Sequence, residues 1–449
     1  MWRTSNWREE AQALLRLAGP LIVNNLAIAG MQFADAVMAG RLGAEALAAV
    51  AVGASVWFFG FAMCLGVLMA ISPIAARHFG AGNSELIGRY TRQGMYLGIA
   101  FGLLLIVLAY LTVEPLLVQI GVDEGFRDLT VGYVHAIIPG APAIFVFLAL
   151  RFTTEGIGYT RPIMFTSIFS LVCNVFLNYV LMFGHFGAPA LGVVGCGLAS
   201  AITMWCVMIM LAIYMMMDRH YEPLKLFARI ARPRARELKE IMALGVPIAI
   251  TITAEAGLFN AVSILMGTRG AAIAAGHQIA INFAATMFMV PLALSAAITI
   301  RVGHALGAGN ATAARFTGAL GILICALFMS VSATFLLIFR DAVVTLYTND
   351  TSVTSIAVSL LLMAAIFQVA DGAQIGAAGA LRGYKDTRVP MAINIFAYWV
   401  MAFPLAYMAA VTFKSPPSYV WGGFVIGLSV AAILLTWRYG RVSRKFLRA

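Results

Sequence analysis

The sequence predicts an all-α polytopic membrane protein: twelve transmembrane helices in two pseudo-symmetric six-helix bundles around a central cleft. Composition, apolar runs and an internal repeat carry that prediction. Hydrophobic residues make up 62% of the chain and charged residues 11%, with a mean hydropathy of +0.91, whereas soluble domains average about 45–50% apolar and about 25% charged. This excludes a soluble domain. The opening MWRTSNWREE is polar, and the first apolar stretch runs past signal-peptide length without a small-residue cleavage site, so the first helix is expected to be retained.

At about 20 apolar residues per crossing, the runs fall at 14–39, 46–75, 93–113, 130–150, 162–183, 190–217, 242–266, 272–300, 316–339, 354–380, 389–411 and 419–437. An even number puts both termini on one side. Of the 30 Lys and Arg residues, all but Arg41, Arg127, Arg269, Arg340 and Lys414 lie on that side, from Arg3 to the tail. The positive-inside rule therefore places the termini in the cytoplasm. The same distribution explains the net charge of +11 without nucleic acid, which would need a basic folded face rather than bases in short loops. Cys64, Cys173, Cys196, Cys206 and Cys325 sit in or beside apolar runs with no Cys-x-x-Cys pair, so neither disulfides nor a metal site are expected.

The segment 218–240, with Arg229, Arg232, Arg234, Arg236 and Lys239, is the most charged connection and divides the chain into an N-terminal lobe (1–217), a basic linker and a C-terminal lobe (241–449). Shifted by 227 residues, the halves align without gaps over several separated stretches: Pro20 meets Pro247, Gly30 meets Gly257, and Gly80-Ala81-Gly82-Asn83 meets Gly307-Ala308-Gly309-Asn310. The register still holds where Gly156, Thr160, Arg161 and Met164 meet Gly383, Thr387, Arg388 and Met391. Six crossings per copy give both copies one orientation, related by an axis along the membrane normal. The Gly-Ala-Gly-Asn segments read as helix ends and tight turns. A phosphate loop would need a preceding strand and a following Lys-Ser/Thr, and neither is present.

Three acids break the repeat. Asp35, Glu255 and Asp371 face Val262, Ile28 and Ile144 in the other copy, so duplication explains the frame but not the acids. The remaining Asp and Glu residues fall in loops or at span ends. No Lys or Arg is evident at the depth of the three, and an ionised carboxylate alone in hydrocarbon costs several kcal/mol. Each is therefore expected to hold a proton or cation, or to open to water. Counted from their inner span ends at 1.5 Å per residue, Glu255 and Asp371 lie about 20 and about 14 Å in, close enough for one ion to serve both. Gln368 and Gln374 flank Asp371 at helical spacing, Gln278 pairs with Asn282, and Asn394 with Tyr398. Asn282 and Tyr398 are the expected neutral ligands beside the two acids. Gln278, Met287, Phe288, Phe367 and Gln368 are expected to line the substrate cleft, where adaptable Met and ring surfaces suit varied ligands. In the first half Asp35 shares a helix face with Asn24, and Asn174 and Asn178 stack at i, i+4, as a polar site or as amide glue between helices. Pro20 and Pro247 are expected to bend their helices, and His135 and His277 to be polar core residues.

Together these residues resemble the multidrug and toxic compound extrusion (MATE) family, specifically its NorM branch, over nearly the whole chain. The resemblance rests on Pro20, Asp35, EGIGYTRP (Glu155 to Pro162), Asn174, Asn178, EAGLF (Glu255 to Phe259), HQIAINF (His277 to Phe283), RVGHALG (Arg301 to Gly307), Asp371 and LRGYKD (Leu381 to Asp386). It implies a bacterial inner-membrane antiporter that expels cationic, often aromatic drugs in exchange for sodium or protons; a monomer among membrane lipid, without a cofactor, is the accompanying expectation. It also implies that Glu255 and Asp371 form the cation site of the second half, and that Asp35, Asn174 and Asn178 form a polar site in the first, tied to cation or proton binding and drug release. The chain departs from some sodium-coupled members at Phe367, where they carry Tyr one turn before Asp371, which leaves the coupling ion open between sodium and a proton.

Other function classes fit less well. An enzyme needs a nucleophile–base pair or metal cluster that the short loops do not offer. A channel needs a continuous polar path. A flippase for lipid-linked precursors, or another metabolite exporter of the same architecture, is the nearest alternative, although a flippase calls for positive charge in its cavity.

Overall fold

A computed structural model describes residues 6–227, 232–348 and 350–448. Arg3 and Arg229, counted above among the bases, lie outside the described residues. Twelve described helices are long and apolar enough to cross a membrane: α1 (Trp7–Leu42), α2 (Ala44–Gly80), α3 (Ser84–Ile120), α4 (Glu124–Gly156), α5 (Arg161–Phe183), α6 (Gly192–Met217), α7 (Ala235–Gly267), α8 (Ala271–Gly307), α9 (Ala311–Thr345), α10 (Thr351–Gly383), α11 (Arg388–Thr412) and α12 (Pro417–Arg448). Every expected run falls inside one helix, except that the sixth began two residues early, before Gly192 turns the chain into α6 at φ 58°.

The helices outrun the hydropathy signal because polar caps continue them beyond the bilayer. Asp123 Oδ1 accepts from Gly125 N at 2.8 Å, Asn310 Oδ1 from Ala313 N at 2.9 Å, and Asp350 Oδ1 from Ser352 N at 2.8 Å, each satisfying a first-turn donor. The Gly-Ala-Gly-Asn segments are the helix ends expected of them. Gly82 and Gly309 adopt φ 73° and 75°, and Asn83 N and Asn310 N donate to His78 O and Ala305 O at 2.9 Å, closing both turns alike. α11 departs from regular geometry, with π-helical turns at Phe396–Ala402 and Met408–Thr412. An extra residue per turn redirects the side chains that follow, a device frequent at functional sites.

The chain forms two compact units, Pro20–Ala249 and Met1–Gly19 with Ile250–Ala449. The first is cored by buried apolar side chains including Leu68, Ile71, Phe145, Leu150 and Leu211. It also contains the opening turns of α7, whose Ile241 and Ala249 pack with Val67, Ile74 and Tyr90. Here two backbones meet. A Cβ on Gly66 would lie 2.3 Å from Ala249 Cα, and one on Gly245 would lie 2.3 Å from Val67 O, so glycine is required at both positions.

The described part of 218–240 is fastened to this same unit. Arg92 donates to the carbonyls of Lys225 and Leu226 at 2.6 and 3.3 Å, and Arg234 N donates to Gln93 Oε1 at 3.0 Å. Asp218 closes α6, accepting from His220 N at 2.9 Å, and that backbone donor above all holds its carboxyl down at about 2. The chain passes between units not at this basic segment but inside two helices, between Gly19 and Pro20 in α1 and between Ala249 and Ile250 in α7.

The second unit is cored by Leu360, Leu361, Phe367, Tyr398, Trp421, Phe424 and Leu428. Ser295 Oγ and Thr299 Oγ1 donate to Ile375 O and Gly379 O, both at 2.8 Å, locking α8 to α10.

Candidate cation and polar sites

In the second unit α7 supplies Glu255, α10 supplies Gln368, Asp371 and Gln374 at successive three-residue steps, and α11 supplies Asn394 and Tyr398. Glu255 is half-buried. Asp371 is 5% exposed, and Gln368, Gln374, Asn394 and Tyr398 are at most 1% exposed. Glu255 and Asp371 interact electrostatically, both act on Tyr398, and the Gln374 side chain reaches towards Glu255 and Tyr398.

The hydrogen bonds of this group do not close. Gln368 Oε1, Asp371 Oδ1, Gln374 Oε1, Asn394 Oδ1 and the Tyr398 hydroxyl are buried with no partner among the described residues. Each such atom costs about 1–3 kcal/mol. Orphaned oxygens around two acids form a donor set that fits a hard monovalent cation, and the acids alone fit a proton.

Sequence reasoning missed one neighbour of this site and the cross-helix reach of another. Gln374 was placed beside Asp371, but its reach towards Glu255 on another helix has no signature in spacing. Arg382 was counted only as a loop base. Its Nη2 donates to Ser295 Oγ at 2.6 Å, and its charge acts on Glu255. The expectation that no base reaches the three acids therefore fails for Glu255, because a long side chain at a helix end extends back along the helix.

Asn282 and Gln278 are exposed and bond each other, Gln278 Nε2 donating to Asn282 Oδ1 at 3.1 Å. Met287 and Phe288 are half-buried on the same helix. Phe367 is 1% exposed and packs against the Trp421 and Phe424 rings at centroid separations of 5.7 and 6.2 Å, inside the aromatic core behind Asp371. His277 supports that core: Trp421 Nε1 donates to its Nδ1 at 3.0 Å, so its Nε2 carries the proton towards Ser263 Oγ at 2.8 Å, while Ser263 donates to Phe259 O. It is a neutral polar core residue, as expected.

In the first unit Asn178 joins the expected polar group. Its Nδ2 donates to Asp35 Oδ1 at 2.5 Å and to Asn174 Oδ1 at 3.2 Å, and Asn174 Nδ2 donates to Ser200 Oγ at 3.3 Å. Both asparagines are fully buried, and Asn178 Oδ1 has no partner among the described residues. The Cys196 thiol also faces Asp35, a contact that sequence could not disclose. Asn24 belongs to a different group. Ser167 donates to Ile163 O, so Asn24 Nδ2 donates to Ser167 Oγ at 2.6 Å and its Oδ1 accepts from Arg151 at 3.1 Å, while Arg151 pairs with Glu155 at 2.8 Å. Pro20 lies within α1 at the unit boundary.

The MatE family model matches twice, at residues 20–180 and 247–408, two segments whose starts are 227 residues apart. The chain is 39% identical over 445 residues to the multidrug resistance protein PmpM of Pseudomonas aeruginosa, covering 98% of this chain and 93% of that protein. It is 38% identical over 430 residues to the probable multidrug resistance protein NorM of Shewanella oneidensis, covering 95% and 93%. The crystal structure of the eukaryotic MATE transporter AtDTX14 shares the fold, with a TM-score of 0.89 at 22% identity and 98% of each chain covered. Twelve crossings, a duplicated frame and these relatives agree: the chain belongs to the MatE family of multidrug and toxic compound extrusion proteins, and is a membrane transporter rather than an enzyme.

Proposed function

We propose that this transporter is a secondary active antiporter of the bacterial inner membrane, with both termini cytoplasmic, working as a monomer by alternating access. It exports cationic, often aromatic drug-like compounds in exchange for sodium or protons. The single observation that carries the reading is the set of buried, unpartnered oxygens on Gln368, Asp371, Gln374, Asn394 and Tyr398 beside Glu255. A cation entering that set satisfies several of them at once and neutralises the charge that would otherwise attract a cationic drug. Coupling is competition for negative charge, and linkage requires the drug to weaken cation binding by the same factor. Asp35 with Asn174 and Asn178 is a second polar site, used in release. A membrane potential supplies about 2.3 kcal/mol per elementary charge per 100 mV, so one or two cations moving inward drive uphill export of a monocation.

Efflux of preloaded ethidium from proteoliposomes, with sodium and pH gradients imposed separately, tests this reading. Efflux is expected to accelerate by about tenfold under one of the two gradients. Ethidium that binds the protein yet leaves at a rate indifferent to both gradients contradicts antiport.

A further inference from the structure

The helices that carry the acids change units partway along. α1 begins in the unit of Ile250–Ala449 and carries Asp35 into the unit of Pro20–Ala249, while α7 begins in the latter and carries Glu255 into the former. The opening turns of both helices are held by buried carboxylates.

Glu10, 2% exposed, accepts from Arg301 Nε at 2.9 Å and from Thr317 Oγ1 at 2.7 Å, and its second oxygen accepts from Arg301 Nη2. Glu237, 4% exposed, accepts from Arg89 Nη2, with Arg234 at 3.9 Å, and the adjacent Tyr90 donates its hydroxyl to Glu240. Glu10 and Glu237 coincide under the 227-residue shift. Their arginines do not: Arg301 and Arg89 fall opposite Ile74 and Phe316. Each repeat therefore presents the same acid at the same turn, but the acid is taken by an arginine of the opposite repeat, 291 residues away for Glu10 and 148 for Glu237. Because the two arginines do not coincide under the shift, duplication of the acids alone does not account for their partners.

We propose that Glu10 with Arg301 and Thr317, and Glu237 with Arg89, are positioning residues for transport. They form two exchanged clamps that make the first turns of each acid-bearing helix a rigid part of the unit opposite its acid. A cation arriving at Glu255 or Asp35 then acts on a helix whose far end is fixed in the other unit. Charge-assisted and bidentate pairs suit this task because they resist sliding as well as separation. Pro20 and Pro247 lie within three residues of the two crossings, where the helix lacks a backbone donor and bends most easily.

Only the turnover arm of the test rests on the antiport reading; the exchange arm stands without it. In hydrogen-exchange mass spectrometry of the full chain, Arg301→Gln is expected to accelerate amide exchange about tenfold in residues 7–19 while leaving 20–42 unchanged. Arg89→Gln is expected to do the same in 235–249 but not in 250–267. In proteoliposomes both variants should keep ethidium binding and lose turnover by about tenfold, and the exchanged pair Glu10→Arg with Arg301→Glu should recover much of it. Exchange that is unchanged, or that rises evenly through either crossing, overturns the clamp. So does undiminished turnover in both single variants, or an exchanged pair no better than Glu10→Arg alone. If the native chain moves no ethidium, the antiport reading fails and the exchange result still decides the clamp.

Discussion

Asp371→Asn is expected to fold and insert normally while export falls to background. The substitution keeps the shape of the side chain and removes its charge. The carboxylate sits 5% exposed with Oδ1 unpartnered, so an ionised group there already lacks compensation, and a neutral amide is no costlier to bury. Stability should therefore hold or rise by about 1 kcal/mol. Transport should not survive, because the pair that exchanges a drug for a cation has lost its more deeply buried member. Growth-inhibition assays with a panel of cationic drugs, alongside membrane abundance, check this. Undiminished resistance at native abundance would remove Asp371 from the mechanism.

Glu255→Gln should fail in a different way. Glu255 is half-buried, and its basic neighbour Arg382 keeps hydrogen bonds to Ser295 Oγ at 2.6 Å and Ala378 O at 3.3 Å whatever happens to the acid. Losing the charge therefore leaves no orphaned base, and stability should change by less than about 1 kcal/mol. With Asp371 still present, a cationic drug retains an attractive charge, but a coupling cation loses one of its two. The expected phenotype is uncoupling: drug-for-drug exchange across proteoliposomes persists, while the response to the driving gradient drops by about tenfold. Exchange and gradient response falling in parallel would instead make Glu255 part of the drug site alone.

Much of the architecture was legible in sequence because a bilayer leaves few choices. Backbone groups must be satisfied within helices, so the twelve runs and the 227-residue repeat lay in plain view, and a carboxylate such as Asp371 inside an apolar run is conspicuous for the same reason. What was not legible depends on contacts between distant segments. Glu10 looked like an ordinary acid of a polar amino terminus, and only folding places Arg301 and Thr317 around it. Arg382 read as a loop base because hydropathy locates a Cα and not the end of a long side chain. Phe367 packs into an aromatic core that no linear pattern reveals, whereas the Gln278–Asn282 pair follows directly from its four-residue spacing. The unit boundaries inside α1 and α7 were hidden too, since the charge of 218–240 marks where chain is solvated and not where packing changes.

The central claim is that drug and coupling cation compete for one buried negative site. Equilibrium binding of ethidium to the purified protein, measured across sodium concentrations at fixed pH and across pH at fixed sodium, tests it most directly. One of these cations is expected to weaken ethidium binding by about tenfold or more, ethidium binding to release about one such cation, and Asp371→Asn to abolish both effects. Ethidium affinity independent of both sodium and pH in the native protein would contradict it.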